Sequence, residues 1–116
     1  MSSREWRRRV ANILASIAAI QQRSRSLSFA DFAADRVRLE SILYQFIVIG
    51  EATRSIPAEI QACAPEVPWR LMGDMRNVIV HEYFQLQLET IWYTIQAELP
   101  ALREPLERLL AESESL

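Results

Sequence analysis

Apolar residues recur along the chain at the three-to-four-residue interval of a helix, not in the alternation of a strand. Val10, Ile13, Ile17 and Ile20 form one stripe, and Asn12 and Ser16 interrupt the apolar run at helical spacing. This predicts an amphipathic helix over about residues 3–24. After a loop, Ser28 can cap a short helix, with Asp31 three residues on supplying negative charge to its first turn. Asp35 starts a second long helix that runs to about residue 54. Its centre, Ile42-Leu43-Tyr44-Gln45-Phe46-Ile47-Val48-Ile49-Gly50, is apolar nearly all round. A helix of that kind is covered on more than one side, which in so small a domain favours a dimer interface as well as the internal core.

Pro57 ends this helix, and a short turn is expected over residues 58–64. Pro65-Glu66-Val67-Pro68 is a rigid connector. Pro68 fits the first turn of a following helix, where its missing N–H costs little, so a helix is expected over about residues 68–81. The last region, about residues 88–111, is helical with a break or kink near Pro100, and residues 112–116 are expected to fray.

Composition supports an all-α reading. The 116 residues are half apolar, hold only two glycines and five prolines, and are rich in Ala, Leu, Ile, Glu, Arg and Gln. A chain of this length forms one domain and buries roughly two-thirds of its unfolded surface. The expectation is a single domain over residues 1–116 with its core at about 6–110. The formal charge of −2 is uneven: residues 1–76 hold eleven arginines against eight acids (+3), and residues 77–116 hold two against seven (−5). The arginine-rich part can meet RNA phosphates, although arginines also serve simply to solvate helix faces.

One cysteine, Cys63, leaves no internal disulfide, and one Cys with one His builds no metal site. Neither a metal nor another cofactor is therefore expected. Arg7-Arg8-Arg9 ahead of the apolar residues 10–20 imitates a signal peptide, but the amphipathic spacing favours a core helix. No stretch approaches the roughly 20 apolar residues of a membrane span. The expected location is the cytoplasm.

Candidate chemistry concentrates in Met75-Arg76-Asn77-Val78-Ile79-Val80-His81-Glu82-Tyr83-Phe84, which places the chain's one histidine five residues after an arginine. A guanidinium can fork two hydrogen bonds onto a phosphate, and an imidazole can move a proton near neutral pH. Together they suffice to cut a phosphodiester without a metal. On an ideal helix, however, Arg76 and His81 lie about 140° apart and are not stacked on one face. Leu71, Met72, Met75, Val78 and Ile79 are expected to face the core. Gly73 and Val80 centre the opposite side with Trp69 close by, flanked by Arg76 on one edge and by Asn77 and His81 on the other. A mid-helix glycine costs roughly 1 kcal/mol relative to alanine, and the close approach of a two-fold-related helix would compensate for it. Two copies would then line one groove with two arginines and two histidines.

Bland readings stand beside these. A histidine near a helix end also serves as a C-terminal cap, Arg76 can pair with an acid, and Tyr83 can pack beside Phe84 instead of meeting a base or phosphate.

Arg76-Asn77-x-x-x-His81-x-Tyr83 resembles the RX4HXY motif of HepT-like proteins, the DUF86 branch of the HEPN superfamily. Ile49-Gly50-Glu51-Ala52, Val67-Pro68-Trp69-Arg70 and Met75-Arg76-Asn77 follow the family in order and spacing, and Leu27-Ser28-Phe29 resembles its early loop. The resemblance covers about residues 6–110. It implies an antiparallel HEPN helical bundle forming a two-fold dimer, with the active groove at the interface. It further implies a metal-independent endoribonuclease in which the 2′-hydroxyl attacks and a cyclic phosphate forms, with Arg76 and His81 as the catalytic pair and Asn77 supporting RNA binding.

The same resemblance implies a toxin paired with an MNT-type nucleotidyltransferase antitoxin, in a homodimer or a larger heteromeric complex. That partner would transfer AMP to Tyr83, placing bulk and negative charge where RNA must enter. Asp74 departs from the small residue common at its position. It falls within about 60° of Asn77 and His81 on the helix, able to orient a water or favour imidazolium, yet adding negative charge where RNA approaches. The alternative is a non-catalytic module that binds a nucleotide or RNA, or scaffolds the partner.

Overall fold

The computed structural model describes residues 4–114, and among these every regular element is helical. Helix α1 spans Glu5–Ser24, α2 Phe29–Ala34, α3 Arg36–Arg54, α4 Ala58–Gln61 and α5 Trp69–His81. A 3₁₀ turn at Tyr83–Gln85 leads to α6 (Leu88–Tyr93), a π-helical stretch (Thr94–Glu98) and α7 (Leu99–Glu114). No helix is long and apolar enough to cross a membrane.

The helix starts follow local chemistry. Ser28 and Asp31 form a reciprocal capping box at α2, and the Asp35 carboxylate accepts the Arg38 N–H at the start of α3. Pro68 precedes the first residue of α5. The predicted stripe of α1 is entirely inaccessible, with Val10, Ile13, Ile17 and Ile20 at 0% exposure.

Helix α7 continues to Glu114, so residues 112–114 of the segment expected to fray are assigned to the helix. Ser115, Leu116 and the predicted start at Ser3 lie outside the described residues. The break near Pro100 takes the form of a widened turn, in which the Leu99 N–H donates to the Thr94 carbonyl five residues back. Pro100 has no N–H to offer and its ring crowds the carbonyl four residues earlier, so the turn before it opens by one residue.

Helix α3 lies at the centre, packed on α1 and α5 along its length and touched by α2, while α7 lies against α1. The nearly all-apolar centre of α3 is thus covered from several sides within one chain. The molecule measures 47 × 29 × 21 Å, about two helices thick, so the outer helices keep a face on solvent. Between α5 and the α6–α7 region the bundle stays open. An apolar groove of about 500 Å³ runs there, floored by Phe46 and Ile49 and walled by Leu71, Met75, Ala97 and Leu102.

Candidate active site

Helix α5 carries the arginine–histidine segment, and its seating on α3 decides where each side chain points. Ile79 and Met72 are buried, at 1% and 8% exposure. Trp69 is buried as well, and its indole N–H donates to the carbonyls of Gln61 and Ala64, both at 3.1 Å. Trp69 therefore belongs to the chain's own core and not to an outward groove wall. Leu71 and Val78, expected in the core, are 64% and 44% exposed. Relative to the orientation read from apolarity, the helix is turned by roughly a sixth of a revolution.

Gly50 explains the turn. A β-carbon at Gly50 would overlap Arg76 Cβ and stand 3.1 Å from the Met72 carbonyl oxygen, so the two helices meet where α3 has no side chain. The stem of Arg76 fills this notch. The approach expected at Gly73 is that of a second copy, and within the chain nothing lies within 4 Å of a β-carbon placed there. Gly73 and the 43%-exposed Val80 thus face open space in the single chain.

The Arg76 side chain is 24% exposed and its Nε lies 2.5 Å from Glu51 Oε1. This is a side-on ion pair, since the buried Nε has no acceptor aligned with its N–H. Arg76 Nη1 donates to Asn77 Oδ1 at 3.2 Å, and Arg54 Nη2 donates to the same oxygen. Glu51, Arg54, Arg76 and Asn77 thereby form one cluster across the α3–α5 contact. Glu51 entered the sequence reading only within the Gly50-Glu51-Ala52 pattern, and Arg54 was missed. The legible signal was their position one turn apart at the end of α3, with Arg54 on the same face as Gly50.

His81 is the last residue of α5 and is exposed on the solvent side, away from Arg76. One chain does not bring the two together. Asp74 forms a loose pair with Arg70 at 3.9 Å, both largely exposed, and does not engage His81. Tyr83 is half-buried in the 3₁₀ turn and meets Phe84 edge to face at 5.4 Å between ring centres. Phe84 itself is 94% exposed. Tyr83 borders a smaller hollow of about 200 Å³ shared with Arg36, Leu39 and Leu88. Among the described residues no group of three or more His, Cys, Asp or Glu side chains could hold a metal ion.

This arrangement offers a positioned guanidinium on one flank of an open helix face and an accessible imidazole on the other. The first can hold a phosphate and the second can exchange a proton with a substrate hydroxyl. Chemistry using both requires a body that spans that face.

No solved structure matches the chain. Among curated proteins it is 32% identical to "Probable ribonuclease HepT" of Thermococcus cleftensis, over 84% of this chain and 89% of that protein. It is also 32% identical to a candidate RNase of Caldanaerobacter subterraneus subsp. tengcongensis, covering 85% of this chain and 88% of the relative. A candidate RNase of Methanocaldococcus jannaschii is 25% identical over 98% of both chains. The family model "Ribonuclease HepT-like" matches residues 13–109, which include the whole α3–α5 cluster and the segment through Tyr83. The chain belongs to the HepT-like ribonuclease family.

Proposed function

We propose that the protein is a metal-independent endoribonuclease that acts as a two-fold dimer, with Arg76 and His81 as its catalytic pair. The observation that carries this reading is the contrast between the two residues. Arg76 is held in place by Glu51 and Asn77, whereas His81 stands free on the far side of the same open helix face. A second copy seated on the Gly73–Val80 strip would complete a groove containing both residue types from both protomers. Val80, 43% exposed on that strip, supplies apolar area for such a contact, and Gly73 lets the second copy approach closely.

In this reading Arg76 binds a non-bridging phosphate oxygen and stabilises the added charge of the pentacoordinate transition state. The 2′-oxygen bonds to the adjacent phosphorus, the bond to the 5′-oxygen breaks, and a 2′,3′-cyclic phosphate and a 5′-hydroxyl result. His81 takes the proton from the 2′-hydroxyl or gives one to the departing oxygen, a contribution of about 10²–10⁴-fold. Asn77 keeps the guanidinium in place, and Asp74 faces the substrate side.

The biological role we infer is that of a toxin, restrained by an MNT-type nucleotidyltransferase. The Tyr83 oxygen would attack the α-phosphate of ATP and release pyrophosphate, leaving AMP at the rim of the groove. The partial exposure of Tyr83, two residues beyond His81, supports that assignment. The decisive experiment is RNA cleavage in EDTA by wild type beside Arg76→Ala and His81→Ala proteins verified as folded dimers. Activity should vanish in both variants. Undiminished cleavage in both would refute the assignment.

A further inference from the structure

We propose that Arg54 is a second phosphate-binding residue of this site, holding the phosphodiester next to the one that Arg76 faces. The inference rests on the ribonuclease reading of the Arg76 cluster and adds a residue to it. Two guanidinium groups, from α3 and α5, converge on the single amide oxygen of Asn77. The oxygen is neutral, so it orients both cations without cancelling either. Glu51 supplies the one carboxylate, which leaves Arg54 (+1), Arg76 (+1) and Glu51 (−1) with a net charge of +1. Two like charges held together with incomplete compensation make a ready anion site.

The surroundings of Arg54 differ from those of arginines that merely decorate a helix. Arg9, Arg36, Arg38, Arg70, Arg103 and Arg108 each pair with a carboxylate three or four positions away. Four positions from Arg54 stand Gly50 and Ala58, and the acid three positions away, Glu51, is turned to Arg76. Arg54 is exposed and donates instead to the amide oxygen of Asn77 on the motif helix. Its remaining N–H groups have no protein acceptor among the described residues, and they lie beside a guanidinium suited to a phosphodiester. An RNA strand carries one phosphate per nucleotide, so a second cation next to the first would fix its path and register.

The test separates binding from cleavage. A short RNA with 2′-O-methyl sugars throughout cannot undergo 2′-hydroxyl attack, and its affinity for the full chain is measured against salt. Arg54→Ala should weaken binding about tenfold and reduce the magnitude of the log–log salt slope by about 0.7, the share of one phosphate on a single strand. Arg54→Gln, which keeps a donor for Asn77 without the charge, should lose nearly as much. Arg54→Lys should recover part of it, and Arg103→Ala on α7 should bind as wild type. Replacing single linkages by neutral methylphosphonates should reveal one position where wild type loses affinity and Arg54→Ala loses no more.

Wild-type affinity and salt slope in folded Arg54→Ala and Arg54→Gln overturn the proposal, even if the wild type cleaves RNA. Arg54-dependent binding by a protein that leaves all-ribose RNA intact upholds the phosphate site and overturns the ribonuclease reading. No binding by wild type at low salt overturns both.

Discussion

Gly50 lies directly against the stem of Arg76, and this contact sets both the seating of α5 and the placement of the guanidinium. The atoms that meet Gly50 are the Arg76 β-carbon and the Met72 carbonyl oxygen, and neither can swing aside. Gly50→Ala should therefore push the helices apart, cost about 1–3 kcal/mol of stability and lower Tm by several degrees. Cleavage should fall with it, since Arg76 moves. Thermal unfolding monitored by circular dichroism checks the first part, and an unchanged Tm would contradict the contact.

Gly73→Ala makes the opposite prediction for the single chain. Open space surrounds that position, so alanine should add up to about 1 kcal/mol through helix propensity alone. If the Gly73–Val80 strip meets a two-fold-related copy, the same substitution should weaken self-association. Sedimentation over a concentration series gives the dimer constant. A dimer at least as tight in Gly73→Ala would move the interface off this strip.

Glu51→Gln should split the kinetic constants. The amide keeps the shape but removes the charge that opposes phosphate binding, so KM should fall. Arg76 loses its ion pair and its fixed direction, so kcat should fall by about tenfold. Parallel losses of affinity and turnover would show that Glu51 serves the substrate in some other way.

Tyr83→Phe preserves the edge-to-face contact with Phe84 and removes only the hydroxyl. It should fold and cleave as wild type, while intact-mass measurement after incubation with the nucleotidyltransferase and ATP should show no added AMP. Addition that persists in the variant would place the acceptor elsewhere.

Trp69→Phe tests the placement of this indole in the chain's own core. The indole N–H satisfies two loop carbonyls, at Gln61 and Ala64, and phenylalanine leaves them without that donor. A loss of about 1–3 kcal/mol is expected in denaturant unfolding, with little direct effect on RNA affinity.

Much of the molecule was legible before any tertiary information. The α1 stripe, the Ser28–Asp31 box, the Asp35 cap and the extent of α5 all come from interactions within a few residues, and helical period and capping chemistry are local properties. The residues from Arg76 to Tyr83 were legible for a different reason, their resemblance to a motif of the family whose model matches residues 13–109.

The rotation of α5 was decided only in three dimensions. Apolarity placed Leu71 and Val78 inside, but the Gly50 notch admits the Arg76 stem and the loop carbonyls draw in Trp69, so the helix turns and those two side chains face out. The same contact gathers Glu51 and Arg54 around Arg76 and Asn77, from segments more than twenty residues apart. A helix's own sequence determines that it has faces. Which face turns inward depends on the shape of the neighbour it packs against, and here that shape is the absence of one side chain.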